Sequence, residues 1–190
     1  MNDVAKAYLE DSFRAFRGYR NLAEGAIAQL KDDELFRLID PEANSVAIVM
    51  QHIAGNMRSR WTDFLTSDGE KPDRHRDREF EPRRATREEL MREWNAAWDL
   101  LLATIQSLKP EDVLREITIR GEKHAVLWAI QRQVTHYAYH VGQIVFLAKH
   151  FRGSEWKSLS IPKGKSEEFN QTTYKEHNAD HPLKAGGGKW

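Results

Sequence analysis

Cysteine is absent from the 190 residues, which excludes disulfides, thiolate metal ligands and an internal thiol nucleophile together. Any thiol chemistry must therefore draw on a thiol from outside. No run approaches the roughly 18 apolar residues of a membrane span. The segment MNDVAKAYLEDSFRAF carries acids and aromatics where a secretory signal needs a basic start and an apolar stretch. These absences lead to the expectation of a cytoplasmic protein with no membrane partner. A charge excess is also missing, since Lys+Arg and Asp+Glu both number 29. Without an overall basic field, nucleic acid is not an expected partner. Neither a Gly-x-Ser-x-Gly elbow nor a His-Glu-x-x-His zinc-protease sequence occurs, and Pro162-Lys163-Gly164-Lys165 lacks the glycine spacing of a P-loop.

Helical periodicity dominates what is there. Apolar residues recur at Leu9, Phe13, Phe16, Ala23, Ile27 and Leu30, which predicts a first helix from about Asp3 to Lys31. Asn44 or Ser45 is placed to cap a second helix over SVAIVMQHIAGNMRSRWTDFL. Thr86 followed by Glu89 is a capping-box pattern opening a third, which Pro110 closes. A fourth helix is expected from about Ala125 to His150, with Gly153 where a chain leaving a helix often needs a left-handed residue. Between the second and third lies a long loop, SDGEKPDRHRDREFEP, whose alternating charges predict a solvated segment. Before the fourth, EITIRGEKHAV has β-branched residues around Arg120-Gly121 and reads as a short hairpin or an extended crossing. The expected fold is all-α, a four-helix bundle over residues 1–152. An irregular C-terminal extension over 153–190 is expected to pack on it, ending in the low-complexity stretch Gly186 to Gly188.

Histidine carries the chemical signal. His136 and His140 stand four apart in QVTHYAYHVGQIVFLAKH, a spacing that puts both imidazoles on one helix face within reach of one ion. His177 and His181 repeat the spacing in a tail with no helical pattern. Chance alone gives about 0.3 such pairs in a chain of this composition, so context must separate them. A helical wheel puts Ala129, Gln133, His136, His140, Gln143 and Leu147 on one stripe. Apolar residues flank it on both sides: Ile130, Tyr137, Val141, Ile144 and Ala148 on one, Trp128, Tyr139 and Phe146 on the other. That predicts histidines near the middle of a core-facing arc. The wheel of the second helix groups Ser45, His52, Asn56, Ser59 and Asp63, which suits either a pocket wall or a solvent-facing stripe. Gln133 and Gln143 are candidate outer partners of the imidazoles and Asn56 a candidate pocket residue. Histidines merely hydrogen-bonded in the core satisfy the same pattern. His75, His124 and His150 are read as structural, and Trp61, Trp94, Trp98 and Trp128 as core or dimer-interface residues.

Three segments together, NSVAIVMQHIAGNMRSRWTDFLTSDGEKP, ITIRGEKHAVLWAIQRQVTHYAYHVGQIVFLAK and WKSLSIPKGKSEEFN, resemble the DinB superfamily, in particular a bacterial subgroup of unknown function. The resemblance spans nearly the whole chain. It implies a DinB-type bundle, a homodimer, and one divalent metal held by His52, His136 and His140. Zinc and nickel are the first candidates, with iron or manganese as alternatives. It further implies a metal-dependent enzyme of the thiol S-transferase type, acting on a small molecule with a low-molecular-weight thiol as co-substrate. Three neutral imidazoles and an open coordination position agree with such use. The alternatives are a metal-dependent hydrolase with a carboxylate base such as Asp63, and a non-enzymatic, stress-associated dimeric bundle. Lys163 and Lys165 are candidate contacts to an anionic substrate.

Overall fold

The computed structural model describes residues 2–171. Four long helices and a two-stranded hairpin account for most of it. Helix α1 (Asn2–Ile27) buries Leu9, Phe16, Ala23 and Ile27, the apolar stripe read from its periodicity. It stops four residues short of the expected Lys31. Gln29 and Leu30 donate their N–H groups to the carbonyls three residues back, which tightens the chain into a turn and tucks Leu30 into the core. The Lys31 N–H then donates to Glu34 Oε2 at 2.7 Å and opens a short helix α2 (Asp32–Phe36). Sequence periodicity missed α2 because one turn of helix shows no repeat; its sole mark was the acidic start Asp32-Asp33-Glu34.

Helix α3 (Val46–Trp61) begins where the Ser45 hydroxyl accepts the Ile48 N–H at 3.2 Å. It is buried on nearly every side, Gln51 and Arg58 excepted, so its small polar residues form an interior wall and not a solvent stripe. Helix α4 (Arg87–Ser107) starts from the expected capping box: Thr86 Oγ1 accepts the Glu89 N–H and Glu89 Oε2 accepts the Thr86 N–H at 2.8 Å. Strands β1 (Glu116–Ile119) and β2 (Glu122–Ala125) pair antiparallel, Glu116 opposite Ala125 and Ile119 opposite Glu122. Their two-residue turn has φ of +56° at Arg120 and +76° at Gly121, the positive values that match hairpin twist. Both turn N–H groups donate to the Asp68 carboxylate, and the Gly69 N–H donates to the Thr118 carbonyl at 2.8 Å. Those bonds fasten the hairpin to the loop that follows α3.

Helix α5 (Val126–Arg152) packs on α1 along one flank and α3 along the other, while α4 closes the remaining side between α1 and α3. Phe16, Trp61, Trp94, Trp98 and Tyr137 fill the centre with no more than 1 % exposure. Trp61 Nε1 donates to the Tyr137 hydroxyl at 3.0 Å, which donates onward to Asn56 Oδ1 at 2.9 Å. Tyr137→Phe is expected to leave both outer partners buried and unpaired, lowering stability by about 1–3 kcal/mol in a denaturant titration.

Two expectations need correction. Trp128, Tyr139 and Phe146 do not flank a buried stripe; they are 50 %, 63 % and 65 % exposed. Because α1 and α3 cover α5 from the opposite side, the histidine stripe runs along the margin of the buried arc and not its middle. The charged loop is solvated at Asp73, Arg76, Asp77, Arg78 and Glu81, as expected, but not at Arg74 and Glu79. A 3-10 turn, Arg76–Phe80, folds back on α3 and buries Glu79, while the Arg74 side chain is 5 % exposed. Of the C-terminal extension, Trp156 and Leu159 pack against the core. The Lys157 N–H donates to Gln29 Oε1 at 2.8 Å. A short helix α6 (Ser166–Phe169) follows. His177, His181 and Gly186 to Gly188 lie outside the described residues. No helix among those described is long and apolar enough to cross a membrane.

Candidate metal centre

Two helices meet to build the site. His52 projects from the buried wall of α3, four residues before Asn56 and one turn above Gly55, and is 3 % exposed. His136 and His140 project from the margin of α5, His140 buried and His136 half-buried. Their reactive nitrogens converge: Nε2 of His136 lies 3.3 Å from Nε2 of His52 and 3.1 Å from Nε2 of His140. The three ligand atoms all fall within 4.8 Å of one another. Two imidazole nitrogens, each about 2.0–2.1 Å from one ion, stand roughly 2.9–3.4 Å apart at angles between square and tetrahedral. The two close spacings have that size, so the three histidines lie close enough to hold one divalent ion.

Outward-facing nitrogens determine the tautomers. Nδ1 of His52 is 2.9 Å from Glu79 Oε2, Nδ1 of His136 is 3.3 Å from Gln133 Oε1, and Nδ1 of His140 is 2.8 Å from Gln143 Oε1. Each of those oxygens is an acceptor, so each Nδ1 carries the proton and donates it. All three Nε2 atoms are then lone pairs turned toward one point. Without a cation between them, lone pairs at these distances repel, and the donor set fits a metal better than it fits a hydrogen-bonded core. Burial first, and then the charge that protonation would place beside the other two imidazoles, Arg74 and Arg132, lowers the His136 pKa to about 3. Burial also lowers that of His140, against the Gln143 hydrogen bond. Both rings are therefore neutral, the form that binds a metal.

Glu79 is the functional residue that sequence reading missed, along with the residue that holds it. Arg74 Nε and Nη2 donate to the two Glu79 oxygens at 2.8 and 2.9 Å. Burial alone would raise the Glu79 carboxyl, but the bonds from Arg74 and His52 outweigh it and hold the group below the usual carboxylate range. Room for this carboxylate comes from Gly55: a Cβ there would stand 2.5 Å from Glu79 Oε1 and 2.8 Å from its Cδ. No spacing pattern could have singled out Glu79 among the alternating charges of its loop. Glu79→Gln keeps the shape but weakens the pull on the His52 proton, and is expected to reduce metal affinity about 10–100-fold in a chelator competition titration.

The other sequence candidates sort as follows. Gln133 and Gln143 meet His136 and His140, whereas Asn56 meets Tyr137 and lines a cavity of about 260 Å³ beside His52 and His136. Asp63 is exposed beyond the end of α3 and does not line that cavity. His75 and His150 are exposed, and His124 stacks on Trp128 with centroids 4.7 Å apart. Lys163 and Lys165 are exposed and outside the cavity lining; Lys165 donates to Glu168 at 2.7 Å. Positive charge at the cavity comes from arginines instead. Residues 3–165 match the model of a family described as a protein of unknown function, DUF1572. No curated protein matches the chain.

Proposed function

The chain belongs to the DUF1572 family, and on that premise we propose that it is a DinB-type four-helix bundle binding one divalent metal through His52, His136 and His140. We read it as an enzyme of the thiol S-transferase class. The observation that carries the reading is the convergence of three unprotonated Nε2 atoms, each ring backed by a side-chain oxygen. A divalent ion held by three neutral imidazoles would supply positive charge and an open coordination position, which favours the thiolate form of an external thiol. Zinc or nickel suits the all-imidazole donor set, with iron or manganese as alternatives. Glu79, Gln133 and Gln143 orient the rings. The marginal position of His136 leaves the trio open to the cavity, where a small substrate can approach, and the lack of cysteine makes the attacking thiol a co-substrate. The hydrolase reading loses its candidate base, because Asp63 lies away from the cavity.

Metal-loaded protein should turn over an electrophile, for instance a halogenated carboxylic acid, only with added low-molecular-weight thiol. Turnover without thiol, or hydrolysis of esters and amides in its place, overturns the transferase reading. A second copy of the chain is the proposed partner. Trp128, Tyr139 and Phe146 share one exposed stripe of α5, as spacings of eleven and seven residues place them. Phe146→Glu is expected to shift sedimentation from dimer to monomer; a monomeric wild type refutes the partner.

A further inference from the structure

Five guanidinium groups, from Arg60, Arg74, Arg76, Arg120 and Arg132, line the cavity that His52 and His136 face, and no apolar side chain is among its lining residues. Two carboxylates serve them. Glu70 is shared by Arg60 at 2.9 Å, Arg74 at 3.2 Å and Arg120 at 3.3 Å, while Glu79 is taken by Arg74 and His52. Five positive charges against two negative leave three in excess. Asp77 lies 3.9 Å from Arg76 but is 99 % exposed, so water screens it. Asp68 is bound by the backbone N–H groups of Arg120 and Gly121 and faces the charge of Lys71, which offsets it. Among the described residues no carboxylate pairs with Arg132, which rests over the Trp128 ring at 6.0 Å.

Arg60 shows that this charge is built in. Its side chain is 4 % exposed, and its Nε is buried with no hydrogen-bond partner. That Nε is closed to solvent, so a ligand in the cavity meets Arg60 as a buried charge, which Glu70 alone balances while also serving Arg74 and Arg120, and not through this donor. Planar arginine forks are also the groups best shaped to take carboxylate or phosphate oxygens in pairs.

We infer that the cavity binds a small organic anion with at least two acidic groups, carboxylate or phosphate, seated on the arginines beside the histidine trio. In naming that anion as the substrate, the inference rests on the metal-site reading above; the arginine cavity itself does not. At about 260 Å³ the space falls just under the roughly 300–1,000 Å³ of pockets for drug-sized ligands. Its lining of arginine, histidine, asparagine and glutamine side chains favours a charged ligand over a neutral one. Within the thiol-transfer reading, the electrophile is therefore acidic and compact, and neutral halogenated aromatics are poor surrogates for it.

Isothermal titration of inorganic phosphate, succinate and neutral succinamide into metal-loaded and metal-free protein tests this, with metal content measured on the same samples. At least one anion is expected to bind both forms, phosphate or succinate identifying the acidic group, while succinamide does not. Arg132→Gln and Arg76→Gln, both at exposed positions where folding is not at stake, are each expected to weaken the anion about tenfold, the scale of one charge-assisted hydrogen bond. Anions that bind no better than succinamide, or bind both variants as tightly as wild type, overturn the inference. Protein that takes up no metal yet binds the anion refutes the metal reading and leaves the anion site standing.

Discussion

His136→Ala protein, purified without a chelating column, is expected to carry less than about one tenth of the metal found on wild type. Loss of an outer hydrogen bond to a ligand already costs about 10–100-fold in affinity, and this substitution removes the ligand that bridges the other two, 3.3 Å from His52 and 3.1 Å from His140. His52→Ala and His140→Ala are expected to behave alike. His75→Ala and His150→Ala, at exposed positions away from the trio, serve as controls and are expected to retain full metal. Elemental analysis decides, and any one of the three variants that keeps a full complement leaves the ligand set. Thermal melts add a second readout. Metal should raise the melting temperature of wild type through mass action on the folded state. It should leave the melting temperature of His136→Ala unmoved, while the metal-free variant melts no lower than metal-free wild type, because one of the opposed lone pairs is gone.

Arg74→Ala is expected to lower stability by about 3–5 kcal/mol, the largest effect of a single exchange outside the hydrophobic core. Arg74 donates to Glu79 through two nitrogens and also reaches Glu70 at 3.2 Å, with its side chain 5 % exposed. Removing it leaves Glu79 buried with His52 as its remaining partner. The effect has a pH signature of definite sign. Burial works against the charged Glu79, but Arg74 and His52 outweigh it, so the folded-state pKa lies below the unfolded one. Such a carboxylate stabilises fully above its unfolded pKa, that is above about pH 5, and the stabilisation is lost as pH falls through the folded value. The gap between wild type and Arg74→Ala should therefore be widest near neutrality and narrow in acid, as urea titrations at several pH values would show. A gap that is constant with pH would mean that Arg74 acts by packing alone.

How much of this was legible varies with the kind of interaction. Long helices announce themselves, because burying one face of a helix imposes a repeat that survives in the sequence, as Leu9, Phe16, Ala23 and Ile27 show. The capping box at Thr86 was equally readable, since it satisfies backbone groups with a residue three positions away, and the cap of α3 was narrowed to Asn44 or Ser45; the turn at Arg120-Gly121 was legible only as one of two forms, and its N–H groups are met by Asp68 from another segment. The pair His136 and His140 was visible from local spacing, and Gln133 and Gln143 stand three residues from the rings they support. His52 could be placed on an inward face from its own helix, but not joined to the pair by spacing; the resemblance named it, and the packing of α3 on α5 brings it within 3.3 Å of His136.

Local pattern by itself thus determined the four long helices, the Thr86 capping box and two of the three converging histidines, because those depend on neighbours along one chain segment. The tertiary structure alone decided that the histidine stripe lies at the margin of the buried arc, since that depends on which flanks of α5 its neighbours cover. It alone turned a loop that looked electrically neutral into a buried Arg74–Glu79 pair behind His52, and gathered Arg74 and Arg76 of that loop with Arg60 of α3, Arg120 of the hairpin and Arg132 of α5 around one cavity beside His136. Charges that cancel when summed along the sequence are separated once the loop folds back on α3, and it is position in space, not composition, that sets the field a ligand meets.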